Sequence, residues 1–169
     1  MKKLLILMSV VFAAIAFAQP GGKRMHVSSP AFTPNGIIPV IFTCEGEDIN
    51  PALHIENIPA AAKELALVVT DPDAPGGVFT HWVVYNIPVT ETIAENSVPG
   101  KQGLNDFGKF DYGGPCPPRG AHRYIFTVYA LDASISLPEG VHKKKLETAM
   151  KGHSIAQEEL VGYYQRKAQ

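Results

Sequence analysis

The 169-residue chain is poor in cysteine (2), methionine (4) and tryptophan (1), and only 18% of its residues are charged. With no CxxC pair and no Cys/His cluster, the usual structural zinc sites are excluded. An even cysteine count permits one disulfide in an oxidising compartment. Sequence separation alone leaves open whether Cys44 and Cys116 come within bridging distance. No basic face stands out either. The net charge is −1, and the basic residues are dispersed apart from Lys143–Lys145, which read as the solvated side of a helix. Nucleic-acid binding usually needs a basic face, so that class is set aside. Internal repeats, linkers and low-complexity tracts are absent, and past the N-terminus no apolar run approaches the roughly 20 residues of a membrane span.

The N-terminus itself reads as a secretory leader. Lys2 and Lys3 form a positive start, Leu4 to Phe17 an apolar stretch, and Ala16-Phe17-Ala18 a small-x-small cleavage site. Cleavage after Ala18 predicts a periplasmic or secreted protein and moves the net charge from −1 to about −3. The expected organisation is a signal peptide over 1–18, a flexible arm over 19–27 and a single domain over 28–169, long enough for one real core.

Within that domain, short apolar runs closed by Pro, Gly or Asn predict strands. Ile37 to Phe42 is one candidate, with Pro39 pointing to an edge or a strand start. Leu65 to Thr70 is apolar on both faces, as in a buried central strand. His81 to Ile87 and Tyr124 to Leu131 are rich in Val, Ile, Tyr, Phe and Thr. Helical pattern appears late, over Gly140 to Met150 and over His153 to Lys167. Ser154 and Gln157 stand at capping-box spacing in the second of these. Ile155, Leu160, Val161 and Tyr164 would form its buried stripe, despite Gly162. The order predicts an antiparallel β domain with peripheral helices rather than repeated βαβ units.

Two segments about forty residues apart carry the chemistry. DPDAP, Asp71–Pro75, leads into Thr80-His81-Trp82, and GGPCPPRGAHRY spans Gly113–Tyr124. Each sets polar groups on a proline-stiffened loop at the mouth of a strand. Asp73 has the position of a turn starter whose side chain bonds nearby backbone N–H groups. Asp71, where a buried strand ends, needs a partner. A carboxylate, the imidazoles of His81 and His122, and loop amides from Gly113, Gly114, Cys116 and Gly120 can grip a phosphate-like anion. The same residues could form a metal triad. However, no HxH, HExxH or DxH pair is present, so no metal is assigned. Nucleophilic catalysis lacks a GxSxG elbow, and only Cys116 with His122 offers a nucleophile and a base.

DPDAP, the His81–Asn86 stretch HWVVYN and GGPCPPRGAHRY resemble the two signature regions of the phosphatidylethanolamine-binding protein family. That family includes the Raf kinase inhibitor protein of animals. The layout is most similar to its bacterial Raf-kinase-inhibitor-like branch, including FTCEGEDINPAL over Phe42–Leu53. The resemblance covers the chain from about Ser28 onward. It implies a mainly β, antiparallel β-sandwich-like domain with peripheral and C-terminal helices, and a small anion cavity at one end. That cavity takes phospholipid head groups or small phosphorylated compounds. Its walls would be Asp71, Pro75, His81, the Gly114–Pro117 backbone with Gly114, Cys116 and Pro117, His122 and Tyr124, with Asp73 bracing the loop. Arg123 matches the motif but would point away from the cavity. A homodimer is implied, and no cofactor. The stretches Pro75–His81 and Pro118–His122 are shorter than in the animal proteins, so kinase binding is not carried over.

The leading expectation is an exported, non-enzymatic protein binding a phosphate-like anion or phospholipid head group. The alternative is a protein-interaction module, such as a protease inhibitor or signalling modulator. A small-molecule hydrolase is the third reading.

Overall fold

The computed structural model describes residues 23–167. The expected leader over 1–18 and residues 19–22 of the arm lie outside them. Nine strands and one helix are described. They are β1 (His26–Ser28), β2 (Gly36–Ile37), β3 (Leu53–Glu56), β4 (Glu64–Asp71), β5 (Phe79–Pro88), β6 (Thr92–Ile93), β7 (Lys101–Gln102), β8 (Ala121–Leu131), α1 (Lys143–Met150) and β9 (Ser154–Gln165). A six-stranded sheet runs β2-β9-β8-β4-β5-β7, and a three-stranded sheet runs β1-β3-β6. All pairings are antiparallel except β2 with β9.

Strand β4 shows how the sequence dictates the layers. Its Leu65, Leu67 and Val69 join Val27, Ile55 and Ile93 of the small sheet in one core, which also takes in Trp82, Tyr124 and Phe126. The intervening Ala66 and Val68 join Val83, Tyr85 and Leu131 in a second core, covered by Leu146 and Met150. Alternate side chains point to opposite faces. A strand apolar at every position is therefore covered on both sides, as expected for the centre of the sheet. The fold is the mainly β, sandwich-like one anticipated, and the helix near Gly140–Met150 forms as α1.

Two expected elements differ. The C-terminal helix over His153–Lys167 does not form; that segment is β9, paired with β8 from Ala121↔Gln165 to Leu131↔Ser154. Leu160, Gly162 and Tyr164 are buried while their neighbours are less so, a two-residue period rather than a helical stripe. Gly162 has a packing reason, since a Cβ there would strike the side chains of Ile38 and Phe32. The expected strand Ile37–Phe42 is also cut short. After Ile37 the chain enters a 3-10 turn at Val40–Phe42, with Pro39 in front of it. Proline removes a ladder donor, which ends β2 there.

Candidate functional site

Asp71 is the last residue of β4 and is buried. Its Oδ2 accepts a 2.7 Å hydrogen bond from Nδ1 of His122, the second residue of β8 and also buried. Its Oδ1 accepts the Asp73 N–H at 2.8 Å, closing the turn of the DPDAP loop. The carboxylate at the strand end thus has the partners its burial demands.

His81 reaches the same face through a register break. Val69 pairs with Trp82 and Thr70 with Thr80, so the β4–β5 ladder skips His81. A bulge of this kind re-aims a side chain. Trp82 shares a core with Tyr124, and the His81 ring packs edge-on against Tyr124 with centroids 5.1 Å apart. His81 Nδ1 donates to the Gly113 carbonyl at 2.6 Å, and the Gly113 N–H donates back to the His81 carbonyl at 3.1 Å. Burial lowers the His81 pKa, although the Gly113 carbonyl and the Asp71 charge pull the other way. The ring is therefore neutral at neutral pH. Both imidazoles spend Nδ1–H on a protein oxygen, which fixes the tautomer of a neutral ring and leaves Nε2 for other partners.

Tyr124 is fully buried, and its hydroxyl has no hydrogen-bond partner among the described residues. Burial raises its pKa and the Asp71 charge adds to this. The Cys116 N–H opposes it electrostatically without a well-formed hydrogen bond.

The GGPCPP loop is fastened to the 3-10 turn and the residues after it. Gly114 N–H donates to Asp48 Oδ1 at 2.6 Å, Cys44 N–H to the Pro115 carbonyl at 3.2 Å, and the Tyr112 hydroxyl to the Phe42 carbonyl at 3.0 Å. Cys44 and Cys116 form a disulfide with Cα atoms 5.5 Å apart, which answers the question the sequence left open. Gly114 must be glycine, because a Cβ would meet the Phe42 carbonyl oxygen and the Asp48 carboxylate.

The structure therefore brings Asp71, His81, His122 and Tyr124 together, with Gly114 and Cys116 on the neighbouring loop. Pro117 is buried in that loop, whereas Pro75 lies exposed at the outer end of the DPDAP turn. Asp73 is a brace. Its carboxylate accepts Arg123 N–H at 2.9 Å, Nε–H at 2.9 Å and Nη2–H at 2.6 Å, so Arg123 turns to the exposed loop rather than to the imidazoles.

Three contributors escaped the sequence reading. Phe107 packs against His81 at 5.3 Å and against Phe79 at 4.7 Å, making an aromatic wall. Asn105 holds the Phe107 loop, its Oδ1 accepting the N–H groups of Phe107 at 3.0 Å and Lys109 at 2.9 Å. Asp48 anchors Gly114. The one available signal was Asn105 ahead of Asp106 and Gly108, a pattern of side-chain-closed turns.

The comparisons with known proteins bear on family and fold. The family model described as phosphatidylethanolamine-binding protein matches residues 28–165. A UPF0098 protein of Pyrococcus abyssi is 48% identical over 159 residues, covering 87% of this chain and 89% of its own. A UPF0098 protein of Aquifex aeolicus is 47% identical over 156 residues, covering 86% and 91%. The crystal structure of a Chlamydia trachomatis homologue of the phosphatidylethanolamine-binding proteins superposes with a TM-score of 0.83 at 42% identity, covering 85% of this chain and 99% of that one. E. coli YbcL, described as a new member of the mammalian family, gives a TM-score of 0.79 at 28% identity, covering 86% and 100%.

Proposed function

The chain belongs to the phosphatidylethanolamine-binding protein family, and from that premise we propose that it is a non-enzymatic binding protein whose Asp71, His81, His122 and Tyr124 hold a phosphate-type anion. The observation that carries this reading is the pair of imidazoles whose Nδ1 atoms are tied to Asp71 and Gly113, beside a buried tyrosine hydroxyl that bonds none of the described residues. Once either ring is protonated, its Nε2–H becomes a charge-assisted donor, and the Tyr124 hydroxyl adds a neutral one. A monoprotonated phosphate can itself supply the proton to Nε2. Asp71 holds His122 in place instead of facing the ligand. A phospholipid head group and a small phosphorylated compound present the same chemistry here. Leu4 to Phe17 supports delivery of the protein across a membrane, and self-association as a homodimer completes the proposal.

The test is a titration of the protein with inorganic phosphate and phosphoethanolamine, followed through histidine side-chain NMR signals. Saturable shifts at His81 and His122 are expected. A charged hydrogen bond contributes about 1.5–3 kcal/mol, so His81→Ala should weaken binding by roughly 10- to 100-fold. Because burial keeps His81 neutral, affinity should rise as pH falls below about 6.5. No shift up to tens of millimolar, or an affinity flat across that range, would sink the reading.

A further inference from the structure

The disulfide that fastens the GGPCPP loop stands at the surface of the domain. Cys44 is exposed and Cys116 half-buried. Both line a cavity of about 310 Å³, together with Asp48, Phe107, Lys109 and Gly113. The bridge therefore borders an open cavity at the surface rather than either apolar core. The bridge also joins the segment that carries Asp48 to the loop that carries Gly113, Gly114 and Cys116, the residues set against His81 and Tyr124.

We propose that Cys44–Cys116 is a thiol–disulfide exchange site for a dithiol reductant, and that its state sets how firmly the anion loop is held. One thiolate of the reductant attacks the Cys44 sulfur, the more exposed of the two. A mixed disulfide forms there, and Cys116 leaves as a thiolate. The second thiol of the reductant then displaces Cys44, closing the reductant's own disulfide. The two protons of the dithiol end on Cys44 and Cys116, and its two electrons are those that cleave the bridge. Lys109 lines the same cavity, as do Asp48 and Asp111, so the leaving thiolate departs among charges of both signs. Once reduced, the loop keeps the bonds from Gly114 N–H to Asp48 and from Cys44 N–H to Pro115, but loses its covalent tie. The Gly113–His81 pair and the Tyr112 hydroxyl on Phe42 also remain, so reduction widens the loop's local opening without releasing it. If the loop is correctly placed only a tenth of the time, apparent affinity falls about tenfold.

The exchange step stands on accessibility alone, while the change in affinity rests on the anion-site reading above. The first measurement is the rate at which dithiothreitol reduces the native protein, read by alkylation and mass, across sub-denaturing urea. A rate nearly independent of urea supports direct access. A rate that climbs with urea as global unfolding does would overturn the exchange site. The second measurement titrates inorganic phosphate into the oxidised protein, the reduced protein and Cys44→Ser/Cys116→Ser, with circular dichroism confirming the fold. Affinity about tenfold weaker in both bridge-free forms supports the latch, and equal affinities overturn it. If the oxidised protein binds no phosphate at all, the anion reading fails while the urea series still decides the exchange site.

Discussion

Two side chains at the candidate site respond to acid in different ranges. His81 has its pKa lowered from 6.5 by burial. The unfolded chain therefore takes up its proton first, and the contribution of neutral His81 to stability is complete above about pH 6.5 and lost as pH falls toward the folded value. Asp73 has its pKa lowered from 3.8 to about 2 by the Arg123 hydrogen bonds. Its contribution is present above 3.8 and disappears as pH drops toward 2, a modest term because the pair is partly exposed. Denaturant midpoints measured from pH 7 downward should show an early decline through the His81 range that His81→Phe removes. A later decline should be reduced by Asp73→Asn. A profile unchanged by either substitution would contradict these assignments.

At the scale of elements, β9 records how a strand can hide in sequence. Ile155, Leu160, Val161 and Tyr164 satisfy helical spacing, and Ser154 with Gln157 imitates a cap. Their strand identity comes from eleven paired positions along β8 and from Gly162 lying against Ile38 and Phe32, neither of which is local. Tertiary context overrides propensity in such segments. By contrast β4, β5 and β8 were legible because their runs are apolar on both faces, and α1 because helical pattern runs over Gly140–Met150. Of the site, Asp71, His81 and His122 were legible from residue type beside rigid loops. Phe107, Asn105 and Asp48 were not, because their roles depend on how distant loops meet. Gly162→Ala should overpack the core beneath β9 and cost about 1–3 kcal/mol, read as a shift in denaturant midpoint. An unchanged midpoint would mean that Ile38 and Phe32 yield freely. Among the described residues, the outer edge of β9 is covered from Val161, whose carbonyl accepts the Asn35 N–H at 2.7 Å, to Tyr163, and Glu158 and Glu159 stand further along it. Charges there discourage pairing with another chain.

For the molecule as a whole, the large sheet is insulated by apolar cores on both faces, so the Cys44–Cys116 bridge is not what holds the sandwich together. It closes a separation of 72 residues. The loop-entropy relation gives about 4 kcal/mol of stabilisation for a ring of that size. Cys44→Ser/Cys116→Ser should therefore unfold at a lower temperature than the oxidised protein while keeping its far-ultraviolet spectrum at 25 °C. Loss of that spectrum would show that the bridge, and not the two cores, sustains the fold. The parallel pairing of Gly36 with Gly162 and the antiparallel pairing of His122 with Tyr164 set β9 between β2 and the strand that carries His122. Strand β9 follows the other described strands in chain order, so during synthesis β8 waits without the neighbour that pairs with His122. Long-range pairing of this sort is slow to form. The candidate site is thus completed only when β9 docks, and a chain arrested before β9 would carry Asp71, His81 and His122 without a closed sheet around them.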